Sequence, residues 1–280
     1  MIVAAYGKRY DIELTSGERI NCVTRGKKSD IACGDHVRIT PTSSNEGVIE
    51  EFLPRSSLLY RSNAFRSKLL AANVTQIVIV LAVKPSFYEE LLNRCLIAAE
   101  AAGISVLIIL NKCDLVEETA AAIVQLDLYC KLGYEVLLLS ARQDVSALLP
   151  RLASQTSVLV GQSGMGKSTL VNALLPDADI RTREISSALD SGKHTTTATH
   201  LYHLDAVSHL IDSPGLQEFG LAHLTPDQIE YGFGEFRPYL GKCRFNNCRH
   251  SKEPDCAILQ AAADGHIAQR RLDCYHKLIS

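Results

Sequence analysis

The sequence predicts a multidomain chain: an N-terminal β-barrel, a central α/β domain built on a phosphate-binding loop, and a short, mostly α-helical end that binds metal. Three observations carry this. The first is a β-branched run leading into Gly161-Gln162-Ser163-Gly164-Met165-Gly166-Lys167-Ser168-Thr169 and then into a helical pattern. The second is a run of short alternating segments, separated by turn residues, over residues 1–66. The third is a cluster of Cys243, Cys248, His250 and Cys256 near the C-terminal end.

Bulk properties bound the classes. At 280 residues the length suggests two or three domains. The chain contains no Trp, so the core must be largely aliphatic. A net charge of −2 gives no global nucleic-acid signal, and any RNA contact must come from local patches. No apolar run approaches the roughly 20 residues a membrane helix needs. The first residues lack a secretory signal pattern. A cytoplasmic protein with no membrane partner is expected, and a monomer is the default. Six scattered thiols (Cys22, Cys33, Cys95, Cys113, Cys130 and Cys274) read as free cysteines in mostly apolar surroundings.

Residues 1–66 are expected to form the barrel. Arg9–Leu14, Arg19–Val23, Asp35–Ile39 and Gly47–Leu53 alternate in the strand period. A five-stranded OB-fold fits the length and commonly binds oligonucleotides, although SH3-like barrels read much the same. Arg25, Lys27 and Lys28, with Arg55, Arg61, Arg66 and Lys68, serve equally as a solvated surface or as phosphate contacts.

Residues 67–225 are expected to form the α/β domain. Val74–Val83 and Ile104–Leu110 are nearly continuous apolar runs joined by a helical stretch, Tyr88–Ala102, that Gly103 ends. Apolar strands linked by helices read as a parallel sheet covered on both faces. A helix over 119–132 and a strand over 134–139 follow. Asn111-Lys112-Cys113-Asp114 stands at the end of the second strand, where open α/β sheets bind ligands. Guanine presents two neighbouring N–H donors, which one carboxylate, that of Asp114, can accept together. Adenine lacks that pair and would leave the charge unanswered. Asn111 would tether the loop, and the Lys112 stem would cover the ring face. Ser140-Ala141-Arg142, one strand later, is similar to the short loop whose backbone N–H meets guanine O6.

The phosphate loop supplies the other end of the ligand. Its glycines let backbone N–H groups turn inward, aided by the N-terminus of the next helix. Lys167 would reach the β- and γ-phosphates and Ser168 would bind Mg²⁺. A polar stretch over 176–200 contains Thr195, Thr196 and Thr197, of which one, with Thr196 central, is expected to bind Mg²⁺ and sense the γ-phosphate. Asp212-Ser213-Pro214-Gly215 follows a short strand. Asp212 would hold Mg²⁺ through water, and the Gly215 N–H would sense the γ-phosphate. Leu216 stands where many GTPases place a water-orienting Gln, so unaided hydrolysis should be slow. His223 is the candidate to position water, with an ordinary surface histidine as the alternative.

Residues 226–280 are expected to be helical around Cys243, Cys248, His250 and Cys256. Three thiolates and an imidazole make a closed tetrahedral Zn²⁺ site, which compensates for a small core. His266, Cys274 and His276 are reserve ligands.

The order of the motifs is unusual, because the guanine motif precedes the phosphate loop and the switches come last. The domain reads as a circularly permuted GTPase, and the permutation attaches the second switch directly to the metal module. A γ-phosphate signal is therefore expected to move that module. With these motifs in this order, the whole chain resembles the bacterial ribosome small-subunit-dependent GTPase A family. The resemblance implies an OB-fold domain, a permuted GTPase domain and a zinc domain. It implies GTP hydrolysis to GDP stimulated by the small ribosomal subunit, contact with that subunit and its rRNA late in maturation, and release of assembly factors. It also implies that His223 stands where the family has a histidine proposed to assist hydrolysis. The rival reading is a GTP-gated RNA- or ribosome-binding module in which hydrolysis is secondary. An ATPase or kinase is disfavoured by Asp114.

Overall fold

The computed structural model describes residues 1–25, 31–62, 67–175, 199–212 and 220–279. Eleven strands form one sheet in the order β10-β9-β8-β11-β13-β12-β1-β2-β3-β5-β4, and β6 and β7 form a separate hairpin. In chain order these are β1 (Ile2–Tyr6), β2 (Arg9–Glu13), β3 (Arg19–Thr24), β4 (Val37–Pro41), β5 (Glu46–Phe52), β6 (Leu58–Ser62) and β7 (Ser67–Ala72). They continue with β8 (Gln76–Ala82), β9 (Ser105–Asn111), β10 (Glu135–Leu138), β11 (Thr156–Val160), β12 (Thr199–His203) and β13 (His209–Asp212).

The first five strands make the expected barrel. The strands β1, β2 and β3 run antiparallel, β3 pairs parallel with β5, and β4 lies antiparallel outside β5. The turn before β4 closes the ring, with Ile2 N–H donating to the Asp35 carbonyl (2.8 Å) and Gly34 N–H to that of Ile2 (2.9 Å). The alternation legible in the sequence fills the interior with Ile2, Tyr10, Ile12, Ile20, Cys22, Ile31 and Ile49. Arg55 has an internal partner. Its guanidinium pairs with the fully buried Asp35 (2.6 Å), which also accepts the Ala32 N–H, and it lies over the Phe52 ring. Arg25 pairs with Glu50. Lys27, Lys28 and Arg66 lie outside the described residues, as do the side chains of Arg61 and Lys68.

Strand β1, which alternation alone left unassigned, joins the barrel to the second half of the sheet. Its other edge pairs with β12 (Ala4↔His200, Ala5↔Thr199). Successive side chains point to opposite faces, so Ile2 fills the barrel while Val3 enters the main core. From β12 inward, β13, β11, β8, β9 and β10 are mutually parallel. All seven residues of β8 are buried, as a strand covered on both faces requires.

Four helices accompany these strands: α1 (Glu89–Ala102), α2 (Val116–Lys131), α3 (Leu149–Leu152) and α4 (Lys167–Leu174). Two glutamates open α1, where the helix dipole favours them. Gly103, at φ 65°, ends it by donating its N–H to the last turn. No helix among the described residues is long and apolar enough to cross a membrane. Most of the scattered thiols are buried as expected, but Cys130 on α2 is exposed.

The C-terminal residues do not form a freely tethered module. Ile229, Phe233, Phe236, Ile258, Leu272 and Tyr275 share one continuous core with α1 and the parallel sheet. The junction is fastened by Arg271, at 0% exposure the largest fully buried side chain. It pairs with Glu235 through two nitrogens (2.5 and 3.1 Å) and donates to Asn93 of α1 (2.5 Å). The Tyr129 hydroxyl of α2 lies 2.9 Å from both Glu89 and Asn93 and shares its one proton between them, and Arg270 pairs with Glu89 (3.0 Å). Movement of the module as a unit would break this buried network, so the expected free response to the second switch has a built-in opposing constraint. Removing one partner of such a pair strands the other charge. Arg271→Ala is expected to destabilise the chain by about 3–5 kcal/mol, read as a lowered urea midpoint; an unchanged midpoint would refute the clamp.

Candidate nucleotide site and metal centre

The phosphate loop leaves the end of β11, the Asn111–Asp114 loop the end of β9, Ser140-Ala141 that of β10, and Asp212 closes β13. These strands are parallel, so all four groups emerge along one edge.

Asn111, only 2% exposed, ties the loops together. Its Nδ2 donates to the Met165 carbonyl in the phosphate loop (2.9 Å). Its Oδ1 accepts the N–H of Lys112 (2.8 Å) and of Ala141 (2.9 Å). Lys112 sits at φ 64°, and its ammonium crosses to the carbonyls of Gly164 (2.6 Å) and Lys84 (2.8 Å). The Ala141 amide thus donates to Asn111. Ser140 is buried, and its carbonyl accepts the N–H groups of Gln143 and Asp144. Asp114 is exposed, and its carboxylate makes no hydrogen bond or ion pair among the described residues, which leaves it available to a ligand.

Two of the loop's glycines are demanded by close approach. A Cβ on Gly161 would lie 2.2 Å from the Val80 carbonyl oxygen. Gly166, at φ +91°, caps α4, and a Cβ there would lie 2.3 Å from Asn111 Nδ2. Met165 is buried. Gln162 Oε1 accepts the Tyr88 N–H just before α1 (2.8 Å), so the β8–α1 connection braces the loop. Lys167 extends back over it and donates to the carbonyls of Gln162 (2.7 Å) and Gly161. Burial lowers its pKa, and the nearby Asp212 carboxylate opposes that shift. Ser163 and Ser168 are exposed and Thr169 is half-buried, Ser168 being the second residue of α4. Two switch candidates escape this account, because Thr195–Thr197 and Gly215 (with Leu216) lie outside the described residues. His223 is half-buried with its ring 5.5 Å from that of Tyr60, and burial lowers its pKa.

The second cluster is metal-like in its dimensions. One donor atom from each of Cys243, Cys248, His250 and Cys256 falls within 4.8 Å of the others. Cys243 Sγ and Cys256 Sγ are 3.7 Å apart, and His250 Nδ1 stands 3.5 and 3.2 Å from them. A tetrahedron with Zn–S bonds of about 2.3 Å has edges of about 3.8 Å. His250 Nε2 contacts Glu230, the outer carboxylate that orients many metal-bound imidazoles. The reserve ligands have other duties. His276 hydrogen-bonds the His250 carbonyl (2.6 Å), His266 pairs with the Tyr239 hydroxyl (3.0 Å), and Cys274 is buried.

Sequence reasoning missed Gln162 and Tyr88 as a brace, Glu230 as orienter, and Arg271 as clamp. None has a local pattern, since each partner is distant in the chain. The Gly166 contact yields a direct test. Gly166→Ala is expected to lower affinity for a fluorescent guanosine diphosphate at least about tenfold, because two atoms cannot share that space and a left-handed Ala is strained. Retained affinity would show that the two loops separate freely.

Comparison with known proteins agrees with this geometry. The family model for the RsgA GTPase matches residues 52–222. The chain is 57% identical over 279 residues to the small ribosomal subunit biogenesis GTPase RsgA of Nitrosospira multiformis, covering 100% of this chain and 89% of the relative. It is 54% identical over 281 residues to that of Nitrosomonas europaea, covering 99% and 90%. Among solved structures, YjeQ from Thermotoga maritima superposes with a TM-score of 0.76 at 29% identity, covering 100% of this chain and 97% of that one. YloQ, described as a circularly permuted GTPase, superposes at 0.69 and 29%, covering 99% and 91%. Motif order, fold and relatives agree, and the chain belongs to the RsgA GTPase family.

Proposed function

We propose that this GTP hydrolase acts on the small ribosomal subunit late in its maturation, cleaving GTP to GDP and phosphate when the subunit completes its active site. The observation that carries the reading is the Asn111–Met165 hydrogen bond, which joins the Asn111–Asp114 loop directly to the phosphate loop.

In this reading the exposed Asp114 accepts the two guanine N–H donors, and the Lys112 stem covers the ring. The backbone of Gly161–Thr169 receives the phosphates. Lys167 leaves its carbonyl partners for the β- and γ-phosphate oxygens, where its charge answers that of the transferring group. Ser168 and Asp212 are hard oxygen donors of the kind Mg²⁺ takes, and the electrostatic contact between Asp212 and Lys167 supports their facing one site. The ion, when bound, offsets charge on the phosphoryl oxygens. Thr196 and Gly215 are assigned to γ-phosphate sensing and His223 to water positioning. The chain divides in this reading into an RNA-contacting barrel over 1–66, a nucleotide domain over 67–225 and a metal-binding helical module over 226–280. Cytoplasmic location, a monomeric state and displacement of assembly factors belong to the same proposal.

Cys243, Cys248, His250 and Cys256 would hold one structural Zn²⁺, a closed donor set with no open position for chemistry. Elemental analysis should find one zinc per chain, and Cys248→Ser should lose it; a metal-free, folded wild-type chain would reject the assignment. Hydrolysis of GTP, ATP and xanthosine triphosphate, with and without purified small subunits, tests the main reading. GTP turnover is expected to be slow alone and to rise at least about tenfold with subunits, a change of about 1.4 kcal/mol in the barrier. Asp114→Asn is expected to transfer the preference to the xanthine nucleotide. Equal rates with and without subunits would reject activation by a partner.

A further inference from the structure

The tip of the metal-bound loop has a feature that nucleotide hydrolysis does not use. Between Cys243 and Cys248 the chain reads Arg244-Phe245-Asn246-Asn247, and all four residues are exposed. Both flanking cysteines belong to the metal cluster, and Cys248 N–H donates to the Phe245 carbonyl (3.2 Å), so the tip is pinned at both ends. Phe245 is 42% exposed. A single exposed aromatic is ordinary; its setting is not. It borders a cavity of about 390 Å³ lined also by Asn246, Asn247, Arg249, Asp227 and Tyr275, with the metal-binding residues completing the wall.

From the cavity's chemistry we infer that it receives an unstacked base of single-stranded RNA, lying against Phe245 with its edge read by Asn246 and Asn247. The inference deepens the ribosomal reading above and rests on it. A nucleobase is flat and apolar on its faces and carries donors and acceptors along its edge. Aromatic side chains take the face, and amides take the edge. The amides of Asn246 and Asn247 form no hydrogen bond to any described residue. Arg244 is stacked over Phe245 (5.5 Å) and held there by Asp255 (3.0 Å), which leaves the platform preorganised. Charge settles which part of the nucleotide enters. Asp227 and Glu230 line the cavity, so a phosphate or an acidic peptide would be repelled by carboxylates there, whereas the N–H groups of a base can donate to them. Arg249 lines the cavity and is itself exposed, and Lys242 and Lys252 are exposed outside it. Residues 241–255 carry four cations against two carboxylates, in a chain whose net charge is −2. The backbone phosphates are therefore drawn to the rim and the base to the interior.

The test uses the full chain, loaded with zinc, and a short single-stranded RNA containing 4-thiouridine, without GTP. Phe245→Ala is expected to weaken binding at least about fivefold, the lower end for loss of one base stack, with zinc content unchanged. Phe245→Trp should restore it. Irradiation should crosslink the wild-type chain within residues 243–250, and Phe245→Ala should lose that crosslink. Unchanged affinity and crosslinks confined to other segments would overturn the inference. Weaker capture of small subunits by Phe245→Ala with unchanged affinity for free RNA would mean that a protein covers this face, and would equally overturn it. Because this arm contains no nucleotide triphosphate, failure of subunit-stimulated hydrolysis would leave its result standing.

Discussion

One side chain holds the nucleotide site together. Asn111 spans three loops that the chain visits far apart, at residues 111, 141 and 165, and answers all of them from a nearly dry position. In such surroundings a missing partner costs more than a made bond contributes, so the three loops are set jointly or not at all. Gly166 must lack a side chain because Asn111 occupies the space, and Lys112 reaches Gly164 because the two loops are already adjacent. The permutation leaves this arrangement intact. Hydrogen bonds of this kind depend on which strand ends are neighbours in the sheet, and not on the order in which the chain supplies them.

Continuity of the permuted chain has mechanical consequences at both ends. Strand β12 pairs with β1 of the barrel on one side and with β13, which ends at Asp212, on the other. The barrel is therefore hydrogen-bonded to the strand that follows residues 176–198. At the opposite end, the residues after the second switch return to α1 and α2 and are clamped there by Arg271, Asn93, Tyr129 and Glu89. The start of α1 is itself braced on the phosphate loop through Tyr88 and Gln162. Both flanking units are thus attached to the nucleotide domain by ordered contacts close to the site, which is the arrangement a switch needs if its state is to be felt at a distance.

The metal cluster serves local order in the same way. Outside it, residues 241–255 contribute few buried apolar side chains, and the loop that presents Phe245 is too polar to fold on its own core. A metal ion held by the four convergent donors would replace the missing hydrophobic burial, and Glu230 and His276 contact the ring and the carbonyl of His250.

By itself the sequence determined the fold class, the phosphate loop, the guanine motif and the metal set, because each is written in adjacent residues or in a local period. Glycine spacing, the strand alternation of Arg9–Leu14 and the unbroken apolar run of Val74–Val83 all concern neighbours along the chain. Tertiary structure alone decided how these parts meet. Nothing near Arg55 announces that it pairs with the buried Asp35, nor near Arg271 that its charge is answered by Glu235 and Asn93. Likewise, only the folded chain shows that the Ala141 amide donates to Asn111, thirty residues earlier. Local patterning reports periodicity and backbone conformation; the pairing of buried polar groups depends on distances between segments that only the folded chain brings together.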